Sequence, residues 1–160
     1  MATLYLLLGA NLEDPKKQLA AAVQAIQEQI GTIVQQSSIY ITESWGTEEK
    51  QPDYLNQVLA VQSEWSAQEV LQKTQRIEEK LGRVRHKKWE ARVIDIDILF
   101  YEDAIIDLPN LKIPHPLFQE RNFAMVPMNE IAPNYIHPVF NKNITELLRE
   151  SSDDLAVKLI

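Results

Sequence analysis

The sequence predicts one α+β domain with an antiparallel sheet, on three observations. Its 160 residues match the size of one ordinary domain. Hydrophobic residues make up 45% of the chain and charged residues 24%, values that are ordinary for a globular protein and exclude bulk disorder. Strand-like and helix-like segments follow in the order β-α-β-β-α-β, as in the ferredoxin-like (split βαβ) arrangement with both helices on one face. We therefore predict a single domain over residues 1–160 with a proline-rich C-terminal extension.

The first helix is expected to follow a short apolar strand at residues 4–8. Asp14 suits the N-cap position and Pro15 the first helical position, while Gly31 is predicted to end the helix. Apolar residues recur between them at helical spacing: Leu19, Val23, Ile26 and Ile30.

The second and third strands are predicted at residues 32–42, which are rich in β-branched side chains, and at residues 54–65. The segment between them, residues 43–53, contains glycine, proline and five charged residues. Such a composition favours a loop, which we expect to be mobile.

A capping box of Ser66 and Glu69 predicts the start of the second helix, and Gly82 its end. Its inward stripe is expected at Val70, Thr74, Ile77 and Leu81.

The remaining chain is predicted to contain a second exposed loop at residues 83–92 and a fourth strand at residues 93–101. Six of the eight prolines lie between Pro109 and Pro138, so this part of the extension is expected to be mostly turns with short helical pieces. A last short helix is predicted at residues 144–150.

Composition excludes several kinds of chemistry. The chain has no cysteine, so disulfides, thiolate zinc sites and cysteine nucleophiles are absent. No apolar run approaches the roughly 20 residues needed to cross a bilayer, and the N-terminus does not resemble a signal peptide. We therefore expect a cytoplasmic protein with no membrane partner.

The charge distribution points to a small anionic ligand. The net charge of −7 argues against a general nucleic-acid binder. Residues 73–92 nevertheless hold eight basic and three acidic residues. One basic segment in an acidic protein favours a small polyanion, although a solvated mixed-charge helix end would show the same pattern.

The fourth predicted strand carries a pair of carboxylates. Asp95 and Asp97 share one face, about 7 Å apart at a rise of roughly 3.3 Å per residue. Two neighbouring carboxylates repel unless a cation lies between them, and Mg²⁺ prefers such oxygen ligands. The alternative is a solvent-facing strand edge whose acids serve solubility. The core is expected on the other face, at Ile94, Ile96, Ile98 and Phe100.

Nearby arginines favour a phosphate site over that alternative. Arg83, Arg85 and Arg92 precede the carboxylate pair, and arginine is suited to bidentate phosphate contact. The chain has four glycines and no P-loop motif, so side chains and metal ions would have to bind the phosphates.

The other candidate site residues have structural alternatives. His115 lies between two prolines and could donate a hydrogen bond to phosphate or simply stabilise the turn. His86 and His137 show no metal-ligand spacing, and we interpret both as surface or structural residues. Four further residues could form an aromatic and amide pocket for a flat heterocycle: Trp45, Tyr54, Asn56 and Phe123. The alternative is that they belong to the core.

Several motifs together resemble one enzyme family over residues 4–140. The most specific is R-x-x-D-x-D-I, from Arg92 to Ile98, followed by Pro114-His115-Pro116. Because of these motifs, the chain resembles the 6-hydroxymethyl-7,8-dihydropterin pyrophosphokinases of folate biosynthesis. The other matching motifs are Leu8-Gly9-Ala10-Asn11-Leu12, Gln51-Pro52-Asp53-Tyr54-Leu55-Asn56, Gln75-Arg76-Ile77-Glu78, Gly82-Arg83-Val84-Arg85 and Trp89.

The resemblance implies that ATP, as co-substrate, donates its β,γ-pyrophosphoryl group to the pterin hydroxymethyl group and leaves as AMP. It implies that Asp95 and Asp97 bind two Mg²⁺ and that the catalytic residues are these two with Arg83 and Arg92. The implied ATP-binding residues are Gln75, Arg85, Trp89, Arg92, Ile98, His115 and Arg121, with Glu78 nearby. The implied pterin-binding residues are Thr42, Ser44, Trp45, Tyr54, Asn56 and Phe123. The loops at 43–53 and 83–92 are expected to close over the site of a monomer.

Two other functions are compatible with the predicted fold. A ferredoxin-like nucleic-acid-binding module would explain an exposed basic loop and aromatic residues on a sheet. It would leave Asp95 and Asp97 unexplained, and the net charge also disfavours it. A small-molecule-sensing regulatory domain would need neither clustered arginines nor metal-binding carboxylates.

Overall fold

The computed structural model describes residues 1–11, 14–42, 53–82 and 94–160. The predicted mobile loops at 43–53 and 83–92 therefore lie outside the described residues except at position 53, and so does the first residue of the predicted fourth strand.

Within the described residues, five strands and two helices precede the C-terminal extension, which adds two helices, a 3-10 turn and three short strands. In chain order they are β1 (Ala2–Ala10), α1 (Pro15–Gln29), β2 (Thr32–Gln36), β3 (Tyr40–Thr42), β4 (Tyr54–Ser63), α2 (Ala67–Leu81), β5 (Asp95–Tyr101), β6 (Ile106–Leu108), β7 (Leu111–Ile113), the 3-10 turn (Phe118–Glu120), α3 (Asn122–Ile131), α4 (Ile144–Arg149) and β8 (Val157–Leu159).

The main sheet has the strand order β5-β1-β4-β3-β8, and β2 also pairs with β4. Every pairing in it is antiparallel. The expected α+β class with an antiparallel sheet is therefore confirmed. Among the described helices, none is long and apolar enough to cross a bilayer.

Both faces of the sheet are covered, because β1 and β4 are apolar on each side. Leu6 and its neighbours pack under α1 and α2, whereas Leu7 and Val58 pack under α3 and α4. The two early helices thus share one face, as expected, and the extension supplies a second layer on the other face. The candidate site lies on this second face.

The predicted helix starts are confirmed by their hydrogen bonds. The side chain of Asp14 accepts from the Lys17 amide, and Pro15 begins α1. Ser66 and Glu69 form the reciprocal capping box of α2, which ends with Gly82 as its C-cap.

The predicted second strand is divided in two by Ser37. Its amide donates to the carbonyl of Val58 at 2.9 Å, and its hydroxyl accepts from the amide of Val58 at 2.9 Å. A side-chain oxygen thus replaces a backbone partner, and the strand stops at Gln36 and resumes at Tyr40. The third predicted strand ends at Ser63, two residues earlier than expected.

The prediction that Phe100 shares a face with Ile94, Ile96 and Ile98 is wrong. A register shift in the β1–β5 pairing places Ile98 opposite Leu6 but Phe100 opposite Tyr5. The additional residue between them reverses the alternation, so Phe100 is buried in the layer under α3 and α4.

The extension is more regular than its prolines suggest. The ten residues of α3 continue through Pro127, where mostly turns were expected. The predicted last helix is confirmed at Ile144–Arg149, and it begins with a capping box of Asn143 and Glu146.

Candidate active site

A cavity of about 690 Å³ lies where β1, β4 and β5 meet the N-terminus of α3. Side chains from the sheet form its floor, and the extension forms its opposite wall. The described lining residues are Leu7, Gly9, Thr42, Tyr54, Asn56, Asp95, Asp97, Leu117, Glu120, Arg121, Phe123, Asp153 and Leu155.

Asp95, Gly9 and Asn56 form a row across three strands on the cavity floor. Gly9 is paired with Asp95 on one side and with Asn56 on the other. A Cβ at Gly9 would lie 3.0 Å from Nδ2 of Asn56. The absence of a side chain at Gly9 therefore leaves space between the carboxylate and the amide.

The carboxylate pair is held on the edge strand β5. Asp95 and Asp97 are both half-buried and both line the cavity, which confirms that they share a face. Ile96 between them points into the helix-side core. Its amide donates to Oε2 of Glu78 at 2.9 Å, so a buried carboxylate on α2 braces this strand.

The described cavity wall is strongly acidic. It contains four carboxylates, those of Asp95, Asp97, Glu120 and Asp153, and one guanidinium, that of Arg121. An anionic ligand would be repelled by such a wall unless cations accompanied it. A hard divalent ion such as Mg²⁺ fits Asp95 and Asp97, because it accepts carboxylate oxygens and leaves other positions to water and phosphate. The described residues contain no cluster of three or more metal-ligating side chains.

Electrostatic coupling connects the carboxylates with their neighbours. Burial, and then the charge of Asp95, raises the pKa of Tyr54 above its ordinary value. Burial lowers the pKa of His115; Arg121 lowers it further, and Asp97 opposes the shift. Asp95 thus acts on Tyr54, and Asp97 and Arg121 act on His115.

The ring of His115 is oriented by the backbone. Its Nδ1 accepts from the amide of Leu117 at 3.1 Å, which places the proton of the neutral imidazole on Nε2. Its own amide donates to the carbonyl of Leu99 at 3.0 Å and ties the proline-flanked turn to the end of β5. Both expected roles are compatible with this geometry, since Nδ1 stabilises the turn and Nε2 remains a donor.

The other part of the cavity combines aromatic rings with an amide. Oδ1 of the buried Asn56 accepts from the Thr42 hydroxyl at 3.3 Å, and its Nδ2 donates to the Leu8 carbonyl at 3.4 Å. The guanidinium of Arg121 lies 5.4 Å from the centre of the Phe123 ring. These two hydrogen bonds hold the Asn56 amide in one orientation. Within the described part of the chain, they use one of its two N–H groups and one lone pair of its oxygen.

The sequence-predicted site residues fall into three groups. Those that line the cavity are Thr42, Tyr54, Asn56, Asp95, Asp97, Arg121 and Phe123. Three others are described but are not lining residues: His115 beside Asp97, Gln75 exposed on α2, and Ile98 buried on the helix side of the sheet. Outside the described residues lie Ser44, Trp45, Arg83, Arg85, Trp89 and Arg92.

Sequence reasoning missed six lining residues. Leu7 and Gly9 could have been found by extending strand alternation from β1 to β5. No local signal marks the other four, because their positions depend on how the extension folds back: Leu117, Glu120, Asp153 and Leu155.

A cavity of this size with convergent carboxylates, a cation and aromatic groups is typical of an enzyme of small-molecule substrates. Residues 5–133 match the model of the 7,8-dihydro-6-hydroxymethylpterin-pyrophosphokinase (HPPK) family. The chain belongs to this family, which confirms the membership expected from its motifs.

Two bacterial relatives support the same conclusion. A 2-amino-4-hydroxy-6-hydroxymethyldihydropteridine pyrophosphokinase of Haemophilus influenzae is 41% identical over 160 residues, covering 99% of each chain. The protein of the same name from Aquifex aeolicus is 39% identical over 152 residues, covering 95% of this chain and 94% of the relative. The expected enzyme class, a diphosphotransferase, is confirmed.

Solved structures support the fold alone. The wild-type Plasmodium falciparum HPPK-DHPS crystallised with pteroate matches with a TM-score of 0.77 at 16% identity. The match covers 93% of this chain and 44% of that protein, so the chain spans less than half of its solved relative.

Proposed function

We propose that this protein transfers the β,γ-pyrophosphoryl group of ATP to the hydroxymethyl oxygen of 6-hydroxymethyl-7,8-dihydropterin, a reaction of folate biosynthesis. Membership of the pyrophosphokinase family supports the reaction. The observation that carries the assignment of the site is that a carboxylate pair and an aromatic and amide pocket line the same cavity.

The pterin is proposed to bind in the part of the cavity near Tyr54, Asn56 and Phe123. Two aromatic side chains offer faces for a flat bicyclic ring, and Asn56 offers a donor and an acceptor for an amide edge. Thr42 orients Asn56 through its hydroxyl. By resemblance, Ser44 and Trp45 complete this part of the site.

The triphosphate is proposed to lie along Asp95 and Asp97, which would hold two Mg²⁺. Bound there, the ions would neutralise the phosphate charge and lower the pKa of the attacking hydroxyl. Arg121 and Nε2 of His115 would donate to phosphate oxygens. By resemblance, Arg83 and Arg92 act in catalysis, and the remaining ATP contacts come from Gln75, Arg85, Trp89 and Ile98.

In the proposed step, the pterin hydroxyl oxygen attacks the β-phosphorus of ATP. A new oxygen–phosphorus bond forms as the bond from the α,β-bridging oxygen to the β-phosphorus breaks. AMP leaves with that bridging oxygen, and the proton of the hydroxyl passes to solvent water. The residues of this chain orient the two substrates so that the reacting atoms meet inside one cavity.

The decisive experiment measures AMP and pterin diphosphate after incubation with ATP, Mg²⁺ and hydroxymethyldihydropterin. Asp97→Ala is expected to lower kcat by about 10³-fold or more, because a metal-binding carboxylate acts on the transition state. Asp103→Ala, an exposed position in the turn after β5, is the matched control and should retain the wild-type rate. A near-normal rate for Asp97→Ala would remove the metal assignment.

We also infer a finer description of the molecule. The strand order, with β5 and β4 flanking β1 and with α1 and α2 on one face, supports a ferredoxin-like arrangement with a C-terminal extension. One catalytic domain over residues 1–160, a monomeric state and a cytoplasmic location stay predictions.

A further inference from the structure

The C-terminal segment 151–160 returns to the substrate cavity from the far end of the chain. Its strand β8 pairs with β3, and the register places Val157 opposite Thr42. Asp153 and Leu155 both line the cavity. The segment is therefore a wall of the site as well as an edge of the sheet.

Asp153 supplies a cap that the N-terminus of α3 lacks locally. Arg121 stands at the N-cap position, and its side chain makes no capping hydrogen bond. Oδ2 of Asp153 accepts from the backbone amide of Asn122 at 2.8 Å. The Asp153 carbonyl also accepts from Nδ2 of Asn122 at 2.9 Å. A carboxylate at this position satisfies an unpaired amide and interacts favourably with the helix dipole.

Asp153 is itself held by two hydrogen bonds of its own turn, one to its carboxylate and one from its backbone amide. Its Oδ1 accepts from the amide of Leu155 at 3.0 Å, and its own amide donates to the hydroxyl of Ser151 at 3.1 Å. The local turn thus fixes the orientation of the Asp153 side chain that caps α3. A fixed cap can orient the helix end more firmly than a freely rotating one.

Asn122 lies between two residues of the cavity wall, Arg121 and Phe123. Capping the Asn122 amide therefore fixes the backbone from which both side chains project. We propose that Asp153 is a positioning residue for the pterin, holding Phe123 at the heterocycle, and that Leu155 limits the space beside it. This inference rests on the proposed function.

The geometry predicts an effect on one substrate. Of the proposed triphosphate ligands, Arg121 projects from the start of α3. The proposed metal ligands Asp95 and Asp97 instead lie on β5, at the opposite end of the sheet from β8. Loosening the start of α3 should therefore weaken pterin binding more than ATP binding. Loss of general stability would instead lower the amount of active enzyme and leave both KM values unchanged.

The experiment compares Asp153→Ala, Asp153→Asn and the control Asp154→Ala, whose position is exposed. Steady-state kinetics would give KM for each substrate and kcat, and calorimetry would give Kd for the pterin alone. Asp153→Ala is expected to raise KM and Kd for the pterin about five- to ten-fold, the usual scale of a lost cap. KM for ATP should rise by a smaller factor, about two-fold, because Arg121 projects from the same helix end. Asp153→Asn should restore binding in part, because its single side-chain oxygen can still cap Asn122 while the amide of Leu155 loses its acceptor.

Leu155→Ala provides an independent variant if Asp153→Ala fails to fold, and it should also raise KM for the pterin selectively. Unchanged pterin KM in both variants, or an equal rise for both substrates, would overturn the inference. A wild-type protein that releases no AMP with ATP and hydroxymethyldihydropterin would instead refute the proposed function and this inference with it.

Discussion

The carboxylate of Glu78 accepts the amide hydrogen of Ile96 at 2.9 Å, and Ile96 separates the two cavity-lining aspartates. Glu78 is buried on α2, whereas β5 is the edge strand of the sheet that the described residues form. An edge strand has one side without a strand partner, so an acceptor from a helix can fix its position. The carboxylate pair is thus held by β1 on one side and by α2 on the other.

Replacing Glu78 by alanine should affect both stability and catalysis. The amide of Ile96 would lose its acceptor in a buried environment, which costs about 1–3 kcal/mol in unfolding free energy. A less constrained β5 should also lower kcat by about ten-fold, because small displacements of positioned groups reduce rates strongly. Urea unfolding and the AMP assay would measure the two effects.

The controls for this prediction are Glu78→Gln and Glu79→Ala. Glutamine keeps an oxygen acceptor for Ile96 and should retain more stability than alanine. Glu79 is exposed on the same helix and should tolerate the substitution. Equal stability of Glu78→Ala and Glu79→Ala would contradict the bracing role.

Gly9→Ala should weaken pterin binding while leaving the fold intact. The new methyl group would lie 3.0 Å from Nδ2 of Asn56, so the amide would have to move by a few tenths of an ångström. Because Asn56 is proposed to bind the amide edge of the pterin, we expect KM for the pterin to rise about ten-fold. Steady-state kinetics at saturating ATP would test this, and circular dichroism would verify folding. A wild-type KM would show that the space above Gly9 is not used.

Strand alternation made the carboxylate pair of this site predictable. The spacing of Asp95 and Asp97 was enough to place them on one face, and that face lines the cavity. The same rule failed at Phe100, because a register shift against β1 adds a residue before it. It failed also at Ser37, where a side-chain oxygen interrupts the strand. Neither irregularity changes the kinds of residue in its strand. The alternation of apolar and polar residues in the sequence therefore does not reveal either of them.

The wall formed by the extension was not predictable on the same basis. Asp153 caps a helix 31 residues away in sequence, and no local motif specifies that pairing. The three residues of β8 are too few to show alternation. Long-range contacts of this kind follow from the packing of the complete chain, whereas helix caps such as Ser66 depend on neighbours within one turn.

The carboxylate pair predicts a characteristic dependence on metal concentration. Asp95→Asn keeps the shape of the side chain and removes its charge, so the Mg²⁺ concentration for half-maximal rate should rise about ten-fold or more. A chelator should abolish the wild-type activity, and added Mg²⁺ should restore it. Titrating Mg²⁺ at fixed ATP in both proteins is the measurement. Identical titration curves would show that Asp95 does not bind the metal.

The burial of His137 predicts how the free energy of unfolding changes with pH. The residue is buried among Phe100, Phe118 and Phe140, and its Nδ1 accepts from the amides of Val139 and Phe140. Within the described residues, its Nε2 has no hydrogen-bond partner. Burial lowers the pKa of His137 to about 4 from its ordinary value of 6.5. Of the two roles expected for this histidine, surface or structural, these contacts support the structural one.

Because the folded-state pKa is depressed, the unfolded chain binds a proton that the folded chain does not accept. The contribution of His137 is fully present above about pH 6.5 and is lost as the pH falls toward about 4, by on the order of 1–3 kcal/mol. His137→Asn keeps an acceptor for the two amides without a titratable ring. It should be less stable than the wild type at pH 7.5, and the difference should narrow at pH 4.5. Urea unfolding of both proteins at the two pH values measures this, and a difference that stays constant would show that His137 titrates equally in the folded and unfolded chains.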